Sequence, residues 1–516
     1  METGVPLSAS APPSLVKVLI FGDAWNGSYQ RIRIADAGDR KGSIITLRDQ
    51  MQMTPADEPR ENQGLQANSL GFAESVIMGI AGSGPAYSVA ASTATLIGAV
   101  GVLAPASLLY CGLIMFGIAF AFRRLNRLVV DAGASYAWVA AIFSPALGFF
   151  AGWALIISSV VFMVSGTLPA AAATLKLLAP DHVGSQGAVT LVAAAWLVTI
   201  GAVVAKGIKL SSYLQIGFTL VEVGVLALLF ALAAMGFAPP PAHAFTTAWI
   251  TGAGFTPALF ASGAATALFA ISGWDVTANL NEETRNGARI AGAGSVVAVG
   301  IVVLLLVGFN VLALWLLSTA EISHASISIV AVVAHKLMPH PWDYLAVVAV
   351  MLSTIGTLET SILQFTRTLF SMSRDKVMPA RYGRLHPAYR TPWVATLLIT
   401  GLGLALLFGS SCLDGIKTVV DDTVNAVGFQ VAFYYGLTGL ACAWYFRAAA
   451  LTSIGKFIFL LAWPLVGVVF CLGTAVYSIP NFDLTTNILG AGSIAIGIVP
   501  YLWSRRRASV RIPLIE

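Results

Sequence analysis

Gly82-Ser83-Gly84-Pro85 and Ser272-Gly273-Trp274-Asp275 interrupt the first and sixth apolar segments, where an unbroken membrane helix would be expected. Glycine and proline at such places free backbone N–H and C=O groups. Non-helical backbone at membrane depth persists only where protein or a polar cavity satisfies those groups. Two breaks at corresponding positions of two halves therefore predict a binding site, and with it a transporter.

The composition agrees with a membrane setting. Of 516 residues, 57% are hydrophobic and only 10% charged, and the mean hydropathy of +0.82 excludes a water-soluble domain. Apolar runs near the roughly 20 residues that cross a bilayer number about twelve. They lie near 72–98, 102–122, 143–175, 187–206, 211–235, 257–284, 289–317, 342–373, 393–410, 422–446, 454–478 and 487–503. The expected class is thus an all-α polytopic membrane protein.

Charge sets the orientation. The net charge of +5 does not indicate nucleic acid, because the basic residues sit in short loops between apolar runs. Arg123, Arg124, Arg127, Lys206, Lys209, Arg285, Arg289, Arg374 and Arg505 fall on the same side as the N-terminus, against only Lys176, Lys336 and Lys417 opposite. By the positive-inside rule both termini are cytoplasmic, and the loop carrying Asp414, Asp421 and Asp422 faces out.

Alternative functions lack their ingredients. The six histidines are read as loop residues, and no zinc motif, nucleophile elbow or P-loop occurs, so neither an intramembrane enzyme nor an ATP-driven pump is expected. No metal site is expected either. Cys111, Cys412, Cys442 and Cys471 read as small packed hydrophobes. A channel would favour a continuous polar path, whereas this chain has two isolated breaks.

The breaks themselves carry opposite polarity. A helix restarting after Gly84-Pro85 presents free N–H groups and a positive dipole end, which suit a carboxylate; Pro85 tolerates the first turn because it has no N–H to satisfy. The half-helix ending near Ser272 leaves free carbonyls, which suit an ammonium group. A zwitterion or an amine is the expected ligand. Ionisable residues inside apolar segments are functional candidates by default. Asp275 can attract an ammonium group, carry a proton or cap the resumed half-helix. Glu222, midway along the fifth segment, is a candidate proton carrier. Glu359, in the eighth, either favours amine-bearing substrates or bonds a neighbour such as Thr357 or Ser361. Glu74, near the start of the first helix, reads as a helix-end charge.

Three stretches taken in order make the chain resemble the amino acid-polyamine-organocation permeases over roughly residues 68 to 505. They are Gly79 to Pro85, then Gly273-Trp274-Asp275 with Glu282-Glu283-Thr284, then Arg367 to Pro379 with His386-Pro387 and Thr391-Pro392. The resemblance implies a LeuT-like fold of two inverted five-helix repeats with helices one and six broken. Its expected division is a cytoplasmic polar tail (1–67), a first repeat (68–235), a second repeat (236–447), helices eleven and twelve (448–504) and a basic cytoplasmic tail (505–516). It also implies substrate contacts from Ile80, Ser83 and Gly84, facing Phe269, Ser272, Gly273 and Trp274, with Asp275 and Glu359 adjacent. Glu282 and Glu283, among Arg285 and Arg289, match an inner gate; Gly287-Ala288 replaces the prolines common there. Some proton-coupled relatives have a lysine where this chain has Glu222, so only the idea of a proton switch carries over.

The function expected from the sequence is alternating-access transport of an amino acid, organic amine or polyamine across a cytoplasmic membrane. A proton gradient is the preferred driving force for symport or exchange, with Glu222 and Asp275 as coupling candidates and no cofactor. Sodium-coupled or uncoupled exchange is the alternative; Ser353, Thr354 and Thr357 are the available oxygen ligands. The partners are a small-molecule substrate and the lipid bilayer, with no nucleic acid, and nothing in the chain fixes an oligomeric state. Residues 1 to about 65 hold no apolar run able to span, and translation is expected to start at Met51 or Met53. Mass spectrometry of the intact protein should then find no peptide from residues 1–50, and detection of such peptides would sink that start site.

Overall fold

The computed structural model describes residues 64–411 and 416–505. The expected start at Met51 or Met53, nearly all of the polar tail, Cys412, Asp414 and the residues after Arg505 lie outside the described residues. Among the described residues the chain is helical, with one isolated parallel bridge between Leu70 and Thr284. Ten helical stretches there are long and apolar enough to cross a membrane.

The first expected segment is two helices, α1 (Phe72–Ser83) and α2 (Pro85–Val100). Only Gly84 separates them, with φ 49° and ψ 72°, left-handed values that glycine adopts without a Cβ penalty. Next come α3 (Ala104–Leu128), α4 (Pro145–Leu178), α5 (Gln186–Ala205) and α6 (Ile208–Leu232). Ser144 caps α4 by accepting the Leu147 N–H, with Pro145 in the first turn. The sixth expected segment is likewise split, into α7 (Pro257–Ile271) and the four-residue α8 (Val276–Asn279). Ser272 is extended and Gly273 has φ 95°. The chain continues through α9 (Gly287–Leu316), α10 (Tyr344–Arg374), α11 (Trp393–Ser410), α12 (Ile416–Tyr445) and α13 (Trp463–Asn481), and ends in the apolar stretch Leu484–Ser504.

Three sequence readings need adjustment. Asp421 and Asp422 lie in the opening turns of α12, not in a loop. His324 and His335 likewise lie in short helices, Thr319–Ala325 and Ile329–Leu337. Leu65 is buried with Ala132 and Phe370, so the packed body reaches into the segment ahead of Asn68.

Burial separates a centre from a rim. α10 is buried without interruption from Ser353 to Ser373, packing on α4 and α6, while α12 packs on α4 and α13. At the rim, Leu397, Val469 and Ile496 are exposed. An apolar exterior of this kind suits lipid, which solvates it as well as protein would. α7 packs on α2, which brings the two broken segments together.

The breaks touch backbone to backbone. A Cβ built on Gly82 would overlap the Gly273 carbonyl oxygen, and one built on Gly273 would overlap the Gly82 carbonyl oxygen. Gly82→Ala and Gly273→Ala should each lower stability by about 1–3 kcal/mol, through overpacking of backbone that cannot yield. Gly98, whose added Cβ would meet nothing within 4 Å, provides the control. Thermal unfolding of detergent-purified protein should show large drops for the first two and none for Gly98→Ala.

Candidate functional site

Where the breaks meet, a cavity opens of about 480 Å³, its mouth included. The first broken segment contributes Gly82, Ser83, Tyr87 and Ser88, and the sixth contributes Phe269, Ser272 and Gly273. α4 adds Ser158, Ser159 and Phe162; α10 adds Thr357, Ser361 and Gln364; α12 adds Val427, Val431 and Tyr434. The lining holds hydroxyls, an amide and aromatic or aliphatic walls, and no charged side chain. Tyr87 sets its ring edge-on to Phe162 at 5.7 Å and to Phe269 at 6.3 Å, closing one wall.

Of the residues expected at the substrate, Ser83, Phe269, Ser272 and Gly273 line this cavity. Ile80 and Gly84 do not; the Gly84 N–H donates to the Ile80 carbonyl at 2.8 Å. Trp274 is fully buried on the far side of the break, against Phe122 and Tyr435. Asp275 is also turned away. Its carboxylate accepts hydrogen bonds from the Tyr435 hydroxyl at 2.7 Å, the Tyr434 hydroxyl at 3.0 Å and the Gln364 amide at 3.0 Å. It holds the N-cap position of α8 without making a side-chain cap bond. Two of its three partners, Tyr434 and Gln364, do line the cavity, so Asp275 reaches the site through them.

Glu359 faces α6. Gln215 donates to it at 2.7 Å, in place of Thr357 or Ser361. Thr357 instead donates to the Ala81 and Ser353 carbonyls, and Thr354 to the Val350 carbonyl at 2.6 Å. Glu222 lies behind the first break, where its Oε2 stands 3.5 Å from the Ala86 N–H. The Ser353 hydroxyl also engages Glu222, and its Oγ accepts the Tyr87 N–H at 3.0 Å. The donors freed at the start of α2 are therefore taken by α6 and α10. Glu74 accepts the Gly71 N–H at 3.0 Å, a helix-start contact.

At the end of the bundle that carries the first residues of α1, Glu282 and Glu283, inner-gate residues by the resemblance, are paired with arginines of α10. Arg285 instead donates to the Asn68 carbonyl. Glu283 takes a two-pronged pair from Arg367, Nε and Nη2 each at 2.9 Å, with both side chains fully buried. Glu282 pairs with Arg374 at 2.9 Å and accepts the Ala132 N–H, while Arg374 also reaches Asp131 at 2.7 Å. The Glu283 carbonyl accepts the Ser69 and Leu70 N–H groups, which ties the residues just ahead of α1 to the end of the sixth segment.

Sequence reasoning missed Tyr87, Ser88, Phe162, Gln364, Tyr434 and the Ser158-Ser159 pair as lining residues. That pair was detectable, because two adjacent hydroxyls interrupt the run Ile156-Ile157 and Val160-Val161. Cys111, Cys442 and Cys471 are buried free thiols.

The amino acid permease profile matches residues 70–515. The chain is 24% identical to the methylthioribose transporter of Bacillus subtilis, over 61% of this chain and 69% of that one. It is 22% identical to the serine/threonine exchanger SteT of Bacillus subtilis, over 77% and 88%. It is also 22% identical to the human b(0,+)-type amino acid transporter 1, over 64% and 65%.

The two arginines that pair with Glu282 and Glu283 should differ sharply on truncation. Arg367→Ala leaves Glu283 buried and unpaired, and should cost about 3–5 kcal/mol. Arg374, whose side chain is 40% exposed, should cost no more than about 1 kcal/mol. Unfolding midpoints of the two variants measured side by side check this; equal losses would remove the distinction between them.

Proposed function

Since the chain belongs to the amino acid permease family, we propose that it is a secondary-active transporter of small neutral amino acids, coupled to protons and working by alternating access. Transport and a small-molecule substrate follow from the family, and the protein is not an enzyme. The observation that carries the finer reading is the uncharged, hydroxyl-rich cavity where the two glycine breaks cross. A cationic amine or polyamine would need a facing carboxylate to repay its desolvation. Asp275 and Glu359 do not provide one, since both point elsewhere and are engaged by neutral donors. Hydroxyls and backbone dipoles suit a zwitterion with a small polar side chain. The name of the Bacillus subtilis serine/threonine exchanger points the same way.

The proposed architecture has twelve crossings, the first ten as two inverted five-helix repeats, with both termini cytoplasmic by the charge bias. The closed end bearing Arg367–Glu283 and Arg374–Glu282 is then the inner gate, which must open for release. The substrate amine would meet the carbonyl end of α7 and its carboxylate the Ser83 side of the first break. Glu222 supports proton coupling by its place: it binds the start of α2, so its protonation would alter how that half-helix is held. Sodium coupling has less support, because Ser353, one of its three candidate ligands, already accepts the Tyr87 N–H on Oγ and engages Glu222.

Thermal-shift screening should find stabilisation by serine, threonine and alanine, and much less by arginine, putrescine or spermidine; the reverse order would overturn the neutral reading. In proteoliposomes Glu222→Gln should abolish uptake driven by a pH gradient while exchange of bound substrate continues. Undiminished pH-driven uptake would remove Glu222 as the coupling group.

A further inference from the structure

Ser211, Gln215, Thr219 and Glu222 recur at steps of four, four and three along α6, so they form one stripe on one face of that helix. All four are buried, none more than 4% exposed. The stripe faces α10, where Gly356 leaves room for the Gln215 side chain, since a Cβ there would meet Gln215 Oε1 at 2.7 Å. Gln215 Nε2 donates to the Gly356 carbonyl at 2.8 Å and to Glu359 Oε2 at 2.7 Å. Glu222 thus stands at the level of the first break, and Glu359 lies further toward the end of α6 where Lys206 and Lys209 are exposed.

What distinguishes this seam is its unsatisfied chemistry. Ser211 Oγ, Gln215 Oε1, Thr219 Oγ1 and Glu359 Oε1 are all buried without a hydrogen-bond partner. Thr219 engages Glu222 and Ser211 engages Glu359, but only loosely, outside full hydrogen-bond geometry. A buried polar atom left unpaired costs about 1–3 kcal/mol, and such groups in native proteins are normally met by ordered water. Four of them in register along one interface describe a path rather than an isolated defect.

We infer that the α6–α10 seam is a water-filled proton route joining Glu222 to the Lys206 end of the bundle, with Glu359 as a second proton carrier. The inference rests on the proton-coupled reading. A proton leaving Glu222 passes to a water beside Thr219, which releases a different proton onward, so each water is restored. Glu359 accepts a proton on Oε1 and releases one toward the water beside Ser211, while Gln215 holds its other oxygen. Only O–H bonds form and break, and one proton enters for each that leaves. Nearby charges are otherwise engaged: Asp275 by Tyr434, Tyr435 and Gln364, and Arg367 by Glu283. That leaves Glu222 and Glu359 as the exchangeable groups within the seam.

The full chain in proteoliposomes tests this with L-serine as the transported probe and an internal pH dye. Glu359→Gln and Thr219→Val should each slow pH-driven serine uptake at least about tenfold, while serine–serine exchange stays within about twofold of wild type and Glu359→Asp restores part of the loss. Wild-type uptake rates in both variants would overturn the route and leave proton coupling intact. Absence of serine-coupled proton movement in wild type would instead strike the coupling reading. Infrared spectroscopy decides the seam by itself. The carboxylic C=O band that Glu359→Gln removes should shift promptly on transfer into D₂O, and much more slowly in Thr219→Val. An absent band, or one that resists exchange in wild type, would refute a hydrated seam.

Discussion

The contact between Gly82 and Gly273 is the constraint on which the site depends. Two helices that cross at membrane depth with side chains between them would fill the crossing with carbon. Here the carbonyl of each break occupies the place where the other's Cβ would be. Both segments leave the helix at or just beyond the contact, where Gly84 and Gly273 take positive φ values. The cavity is what remains beside that contact. Its walls come from elements far apart in sequence, since α4, α10 and α12 all pack around the same point.

Charge is kept one layer away from that cavity. Asp275 reaches it only through Tyr434 and Gln364, Glu222 sits behind the start of α2, and Glu359 lies between α6 and α10. In a low-dielectric interior a carboxylate facing an apolar or neutral cavity would be costly, whereas one held by several neutral donors is tolerated. The only fully buried ion pair among the described residues, Arg367–Glu283, lies at the end of the bundle that carries the first residues of α1, where both prongs of the guanidinium are matched. The molecule thus keeps uncharged side chains around its central cavity and its buried ion pair at one end.

Local chemistry made part of this legible in the sequence. Glycine next to proline announced the first break, and the lone carboxylates announced themselves because hydrocarbon rarely tolerates them. Ser83, Phe269, Ser272 and Gly273 could be placed at the cavity because they lie beside a break. Partners were not legible. Nothing near Glu283 in sequence indicates Arg367, which arrives from α10, while the neighbouring Arg285 turns to the Asn68 carbonyl. Tyr434 was invisible for the same reason: its role comes from α12 lying against the sixth segment, a tertiary fact. The donors expected after Gly84-Pro85 are the Ala86 and Tyr87 N–H groups, and Glu222 and Ser353, distant in sequence, already occupy them.

That last point changes what the first break can do. In a simple broken-helix site the freed N–H groups of the resumed helix meet the ligand's carboxylate directly. Here the Ala86 and Tyr87 N–H groups face Glu222 and Ser353, so on the proposed reading a substrate carboxylate would meet the Ser83 side of the break and not the helix start itself. The resumed helix is consequently held from behind by two neighbours, one of which can change charge. If Glu222 ionises, its attraction for the positive end of α2 strengthens; if it takes a proton, that attraction weakens while the Ser353 bond remains. The same half-helix presents Tyr87 and Ser88 to the cavity. On the proposed reading, substrate and proton therefore meet at opposite faces of one helix end, and neither needs to touch the other for their binding to be linked.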